Sequence, residues 1–241
     1  MNHIRHAIAA YKALGPKTVR PSTPSQRDPI HEITDHAEWV AAMKARQNAN
    51  KHATYARHRQ DRYASASYST LRAEQDPRGK ISRWLESGPR ALLLAGPSRT
   101  GKTTAAYSIA NDADHTGQWV VARTAADLSA ALKPDGDPLA YQYAVDCDLL
   151  YIDDLGRERV TDWWLEQLQR IVDDRCGNKK RLIVTANTPT RDPAHPKKSA
   201  AELAFDYLAE RYTTPIAERL IDGGGVIIFD GPAVREVVTE W

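Results

Sequence analysis

An α/β fold, with a mostly parallel five-stranded sheet covered by helices on both faces, is predicted for this 241-residue chain. Three observations predict it. Short apolar runs alternate with segments of helical period from residue 91 to residue 229. The first run, Ala91-Leu92-Leu93-Leu94-Ala95, leads directly into Gly96-Pro97-Ser98-Arg99-Thr100-Gly101-Lys102-Thr103, a complete G-x-x-x-x-G-K-[ST] phosphate-binding loop. A later run, Asp148-Leu149-Leu150-Tyr151-Ile152, ends in the acid pair Asp153-Asp154. In such a sheet the ligand sits at the carboxyl ends of the strands, where both motifs fall.

Taken in order, residues 15–29 (GPKTVRPSTPSQRDP) hold four Pro among Gly, Ser and Thr and read as a linker or extended arm. A helix is expected over residues 36–62, with Asp35 as N-cap and Trp39, Val40 and Met43 on one face. After strand 91–95 and the loop come helix 101–110, strand 119–123, a helix from Ala125, and strand 148–152. Helix 161–176 repeats Trp164, Leu165, Leu168, Ile171 and Val172 at helical spacing, which marks a core face; Trp163 is expected nearer the surface. Strand 182–186, a single helix over 200–221 and strand 226–229 complete the core. Residues 1–64 are read as a basic partner-binding arm and helix, and residues 65–241 as the catalytic domain.

The chemistry follows from where the strands end. A buried strand, a Gly-rich turn and a helix start aim several backbone N–H groups and the positive helix end at one point, which suits a polyphosphate. Gly96, Pro97, Ser98, Arg99, Thr100, Gly101, Lys102, Thr103 and Thr104 are the expected cradle. Lys102 would reach the β and γ phosphates, and Thr103 would ligate Mg²⁺. Asp153 would hold the metal through its water shell, and Asp154 would polarise the attacking water. Asn187, at the tip of Leu182-Ile183-Val184-Thr185, is placed to sense both water and γ phosphate. Hydrolysis, rather than binding alone, is the expected outcome.

Four motifs in order carry a family resemblance: Asp148 to Gly156 (DLLYIDDLG), Trp163 to Cys176 (WWLEQLQRIVDDRC), Arg181 to Asn187 (RLIVTAN), and Ala217-Glu218-Arg219-Leu220 before Val226 to Phe229. Over roughly residues 65–240 the chain resembles the DnaC/DnaI-type bacterial replicative helicase loaders and their relatives, the IstB transposition ATPases. The resemblance implies an AAA+ ATPase core using ATP and Mg²⁺ as a switch. It further implies contact with single-stranded DNA, and assembly side by side or on a DnaB-type replicative helicase hexamer. Arg219 matches the arginine that such proteins point into a neighbour's nucleotide, with Arg211 its competitor, and Arg235 matches a basic residue that reads the nucleotide in its own chain. Two departures matter. Asp154 stands where many AAA+ proteins carry Glu, so slow turnover is expected, and only 12 residues follow the expected last strand, so no full lid domain is expected.

Composition narrows the rest. With 41% apolar residues the chain can bury one α/β core plus an appendage. No apolar run approaches the roughly 20 residues of a membrane helix, and the N-terminus carries no apolar signal core. Two cysteines, Cys147 and Cys176, exclude a disulfide framework and a four-cysteine zinc site; a cytoplasmic location is expected. The six His of the first 64 residues lack ligand spacing. Residues 1–90 hold 16 Lys and Arg against 8 Asp and Glu, whereas residues 91–241 hold 17 against 23. The excess peaks at Lys44, Arg46, Lys51, Arg57, Arg59 and Arg62, which suits phosphate contact or a solvated helix face. Three other readings remain: an IstB-like ATPase assisting transposition, a small-molecule kinase, and a non-hydrolysing ATP-binding regulatory module. The kinase would need an acceptor pocket and an Arg-rich lid; the regulatory module would be indifferent to Asp154.

Overall fold

The computed structural model describes residues 36–221 and 225–233. The linker of residues 15–29, Asp35 and Arg235 lie outside them. The chain divides into two units, residues 1–47 and residues 48–241. The compact unit therefore begins at Asn48 rather than at residue 65, because Tyr55 and Tyr63 are buried in its core.

Helix α1, His36–His58, ends four residues before its expected limit. In the first unit Trp39 is exposed and stacks on the His36 ring. The rest of the architecture is α2 (Lys80–Ser87), β1 (Ala91–Gly96), α3 (Lys102–His115), β2 (Val120–Thr124), α4 (Ala125–Ala131), α5 (Ala140–Asp146), β3 (Leu149–Leu155), α6 (Asp162–Gly177), β4 (Arg181–Asn187), α7 (Ala200–Arg211), α8 (Thr214–Ile221) and β5 (Gly225–Ile228). The five strands form one parallel sheet in the order β2-β3-β4-β1-β5. Apolar runs without alternation are what a sheet buried on both faces requires. Leu92, Leu94, Tyr151, Ile183 and Ile227 meet α2, α3, Tyr55 and Tyr63 on one side. Leu93, Leu150, Ile152 and Val184 meet α4 to α8 on the other, where Trp164, Leu168, Ile171 and Val172 form the predicted core face. Each such buried aliphatic side chain contributes about 1.5–3 kcal/mol. Trp163 packs partly buried against this layer.

Local sequence sets the helix starts. Thr124, Thr161 and Ser199 accept from the Asp127, Trp164 and Glu202 amides, and Glu202 closes a capping box on Ser199. The helix expected over residues 200–221 is two helices. Pro215 has no amide hydrogen to continue α7, so the chain turns at Tyr212 and Thr213 and restarts as α8. At the amino ends of the central strands, the fully buried Arg175 of α6 donates to the carbonyls of Ala144 (2.7 Å), Cys147 (3.1 Å), Asp148 (3.3 Å) and Arg181. Cys147 is buried, as expected, and burial lifts its thiol to about 11.

Candidate nucleotide site

The parallel register brings the strand tips together: Gly96 lies opposite Asn187, and Thr124 opposite Asp153. The loop between β1 and α3 is compact. A Cβ on Gly96 would lie 2.2 Å from the Phe229 carbonyl oxygen, and its φ of 138° excludes other residues independently. Arg99 and Gly101 take left-handed conformations at φ 66° and 99°, and Thr100 Oγ1 donates to Pro97 O at 2.9 Å. Pro97, Ser98 and Arg99 are exposed; Thr100 and Lys102 are buried, and Gly101, Thr103 and Thr104 lie between.

Lys102 uses all three of its ammonium donors. They reach Gly96 O (3.0 Å), Pro97 O (2.5 Å) and Asn187 Oδ1 (3.0 Å). Burial lowers its pKa to about 8, against the opposing pull of Asp154 and Asp153. Asn187 then donates from Nδ2 to Asp154 Oδ1 at 2.7 Å, so a cation at one end and a carboxylate at the other fix its amide orientation. The second oxygen of Asp154 accepts from Arg157 Nη1 at 3.0 Å. Asp153 is buried, and its Oδ1 gathers three hydroxyls: Tyr151 (2.5 Å), Thr185 (2.6 Å) and Thr103 (3.2 Å). Burial and the neighbouring Asp153 charge push the Tyr151 phenol well above its ordinary value, so it stays a donor.

The two acids sit where strand pairing breaks. Against β4, the register runs Ile152 to Val184 and then Leu155 to Ala186, which leaves one extra residue on β3 at the acids. Asp154 takes φ 61°, and its amide donates to Thr185 Oγ1 at 2.8 Å in place of a strand partner. Such a bulge re-aims side chains that simple alternation would send to opposite faces.

Sequence reasoning missed three contributors: Tyr151, Thr185 and Arg157. A usable signal existed for the first two, because Tyr151 precedes Asp153 and Thr185 precedes Asn187 by two residues, the same-face spacing of a strand. Among the described residues no cluster of three or more His, Cys, Asp or Glu could hold a metal. A hydroxyl beside one carboxylate nevertheless is the hard-oxygen set that suits Mg²⁺ shared with phosphate.

No family model and no curated protein sequence matches the chain. Solved structures do share its fold. The DnaC helicase loader superposes with a TM-score of 0.58 at 22% identity, covering 70% of this chain and 99% of that one. DnaI gives 0.57 at 21%, covering 73% and 94%. The chain has the DnaC/DnaI-type AAA+ fold. The replication initiator DnaA bound to AMPPCP and single-stranded DNA also matches, with a TM-score of 0.52 at 17% identity, over 68% of this chain and 49% of that one. That shared fold surrounds the loop, the acids and Asn187.

Two other arginines of this AAA+ core stand apart from that cluster. Arg219, on α8, is partly exposed; its Nε pairs with Asp173 of α6 at 2.5 Å, and its Nη1 donates to Pro215 O at 3.5 Å. Arg211 is half-buried and donates from Nη2 to the Glu158 backbone oxygen at 3.1 Å. Neither hydrogen-bonds to the loop, the acids or Asn187. Of the two, Arg219 has the more exposed guanidinium. Among the described residues no helix is long and apolar enough to cross a membrane.

Proposed function

We propose that this chain is an ATP-dependent replicative helicase loader that uses ATP hydrolysis as a switch while delivering the helicase to single-stranded DNA. The observation that carries the reading is the continuous bonding from Lys102 through Asn187 to Asp154, beside Thr103 and Asp153, at the tips of β1, β3 and β4 in a loader-type fold.

The loop amides and the Lys102 ammonium bind the β and γ phosphates. Lys102 exchanges its Gly96 and Pro97 carbonyl partners for phosphate oxygens, which are better acceptors for a cation. Thr103 and Asp153 would hold Mg²⁺, which would neutralise charge developing on the phosphates. Asp154 orients the attacking water, and Asn187 reports γ phosphate to Asp154 through its single amide. Before it can accept a proton from water, Asp154 must release the exposed Arg157. Arg219 leaves Asp173 to reach the nucleotide of a neighbouring subunit, adding the fixed positive charge that phosphoryl transfer demands. The basic segment within residues 1–64 contacts the DnaB-type hexamer and single-stranded DNA, in the cytoplasm. The likeness to DnaC and DnaI favours loading over the transposition role.

The deciding experiment is light scattering after gel filtration of this protein with a DnaB-type hexamer, with and without ATP. A joint complex, lost on removal of residues 1–47, which leaves the unit that begins at Asn48 whole, is expected. ATP-dependent assembly on duplex DNA, with no helicase complex, would instead establish the IstB-like role.

A further inference from the structure

One buried carboxylate has no part in the chemistry above. Glu158, in the loop between β3 and α6, is 5% exposed. Its Oε2 accepts the Gly156 amide at 3.0 Å; its Oε1 accepts Trp164 Nε1 at 3.0 Å and the Tyr212 hydroxyl. Arg211 adds a hydrogen bond to the Glu158 backbone oxygen. A buried carboxylate persists only where donors replace its lost water, and here they come from three separate elements. A packed apolar residue would fill the same space without that demand.

The two ends of this hub differ in kind. Gly156 is two residues beyond Asp154 in a turn where both take positive φ, 111° and 61°. The Gly156 position is crowded as well, since a Cβ there would lie 2.9 Å from the Tyr207 hydroxyl of α7. Holding the Gly156 amide therefore holds the turn that aims the Asp154 carboxylate. Tyr212 lies at the break between α7 and α8, and α8 carries Arg219. Burial, then the Glu158 hydrogen bond, raises the Tyr212 phenol above its ordinary pKa, keeping it a donor.

We propose that Glu158 is a positioning residue that couples the α7–α8 junction to the acid turn, so that displacement of the arginine-bearing helix alters turnover at Asp154 without altering nucleotide affinity. This rests on the ATPase reading above. The coupling gives the site a means of sensing what engages α8: a pull on Tyr212 is transmitted to Gly156 through one rigid carboxylate rather than through a flexible loop.

The test uses the full chain with Glu158→Gln and Tyr212→Phe. Glutamine keeps the volume but turns one acceptor into an N–H₂ group facing a donor. Expected for Glu158→Gln is a roughly 10-fold fall in kcat with ATP affinity changed less than about 2-fold, the pattern of lost positioning rather than lost binding. Amide hydrogen exchange should quicken about 10-fold over residues 153–157 and stay unchanged over residues 96–103. Tyr212→Phe, which removes only the far end, should quicken the same 153–157 amides by a smaller factor. Unchanged exchange there in both folded variants, or parallel losses of affinity and kcat, would overturn the coupling. Turnover equal in wild type and Lys102→Ala would instead sink the ATPase reading, while the exchange measurement would still decide the coupling.

Discussion

The depressed pKa of Lys102 makes nucleotide affinity a function of pH with a calculable slope. Burial holds this ammonium at about 8, although Asp154 and Asp153 oppose the shift. A polyphosphate bound against it adds negative charge and raises the pKa again, so binding above pH 8 must be accompanied by proton uptake. At pH 7 about nine-tenths of the free sites are already protonated; at pH 9 about one-tenth are. The dissociation constant for ATP should therefore rise roughly 10-fold between pH 7 and pH 9, or ~1.4 kcal/mol. Titration calorimetry in buffers of different ionisation enthalpy should show about 0.9 proton taken up per site at pH 9 and about 0.1 at pH 7. The folding term has the opposite sign. Because the folded pKa lies below the unfolded value of 10.5, the cost of burying the charge is fully present below pH 8 and is relieved as pH rises toward 10.5. The difference in stability between wild type and Lys102→Met should accordingly shrink over that window, while affinity weakens. A dissociation constant that stays flat to pH 9, with no proton uptake, would refute the placement of Lys102 against phosphate.

Other outcomes follow from single bonds. Asn187→Ala removes the amide bridge between Lys102 and Asp154; steady-state kinetics should show turnover lowered about 10-fold with affinity lowered less. Arg219→Ala should lower turnover only at concentrations where subunits assemble, leaving dilute single-subunit hydrolysis unchanged; an equal loss at all concentrations would place Arg219 in its own site or in folding. Arg175→Ala removes a donor shared by four carbonyls at the amino ends of the strands, two of them (Ala144 and Cys147) on buried residues, so chemical denaturation should show a loss of roughly 3–5 kcal/mol, with ATP affinity of the folded fraction unchanged.

Most of the fold was legible because its signals are local and repeat. β1, β3, β4 and β5 each carry a continuous apolar run, and the caps Thr124, Thr161 and Ser199 stand where helices begin. What was not legible depends on partners distant in sequence. Nothing near Tyr55 or Tyr63 announces that they pack under α3; the reason lies in Asn111, which accepts from Tyr55 (2.7 Å) and Arg59 (3.2 Å) and donates to the carbonyls of Tyr63 (2.9 Å) and Ala66 (2.7 Å). That buried amide, with the stacking of Tyr63 on Tyr107, ties residues 55–66 to the unit that begins at Asn48. The split of the last helical stretch was available from Pro215, whose effect the strong apolar period on either side conceals. In the site, motif spacing gave the loop, both acids and Asn187, whereas the bulge at the acids and the Glu158 hub arise from pairing and burial that no window of sequence contains.

The site has two limbs, and they meet on one strand. The limb proposed to hold the metal runs from Thr103 to Asp153 and from there to Tyr151 and Thr185; the limb proposed to hold phosphate runs from Lys102 through Asn187 to Asp154. Thr185 and Asn187 share a face of β4 two residues apart, and Thr185 also accepts the Asp154 amide. Asp154 is therefore held by its backbone to the metal limb and by its side chain to the phosphate limb. Shifting either limb alone strains the other through a strand buried on both faces, which cannot slide without breaking its pairing with β1 and β3. The acid turn belongs to β3, where the bulge interrupts regular pairing with β4 and Asp154 takes a left-handed φ. Continuously paired β4 beside an acid turn outside regular pairing is an arrangement in which the proposed hydrolysis would respond to a third contact, from Arg157 or through Glu158, while the nucleotide stays bound.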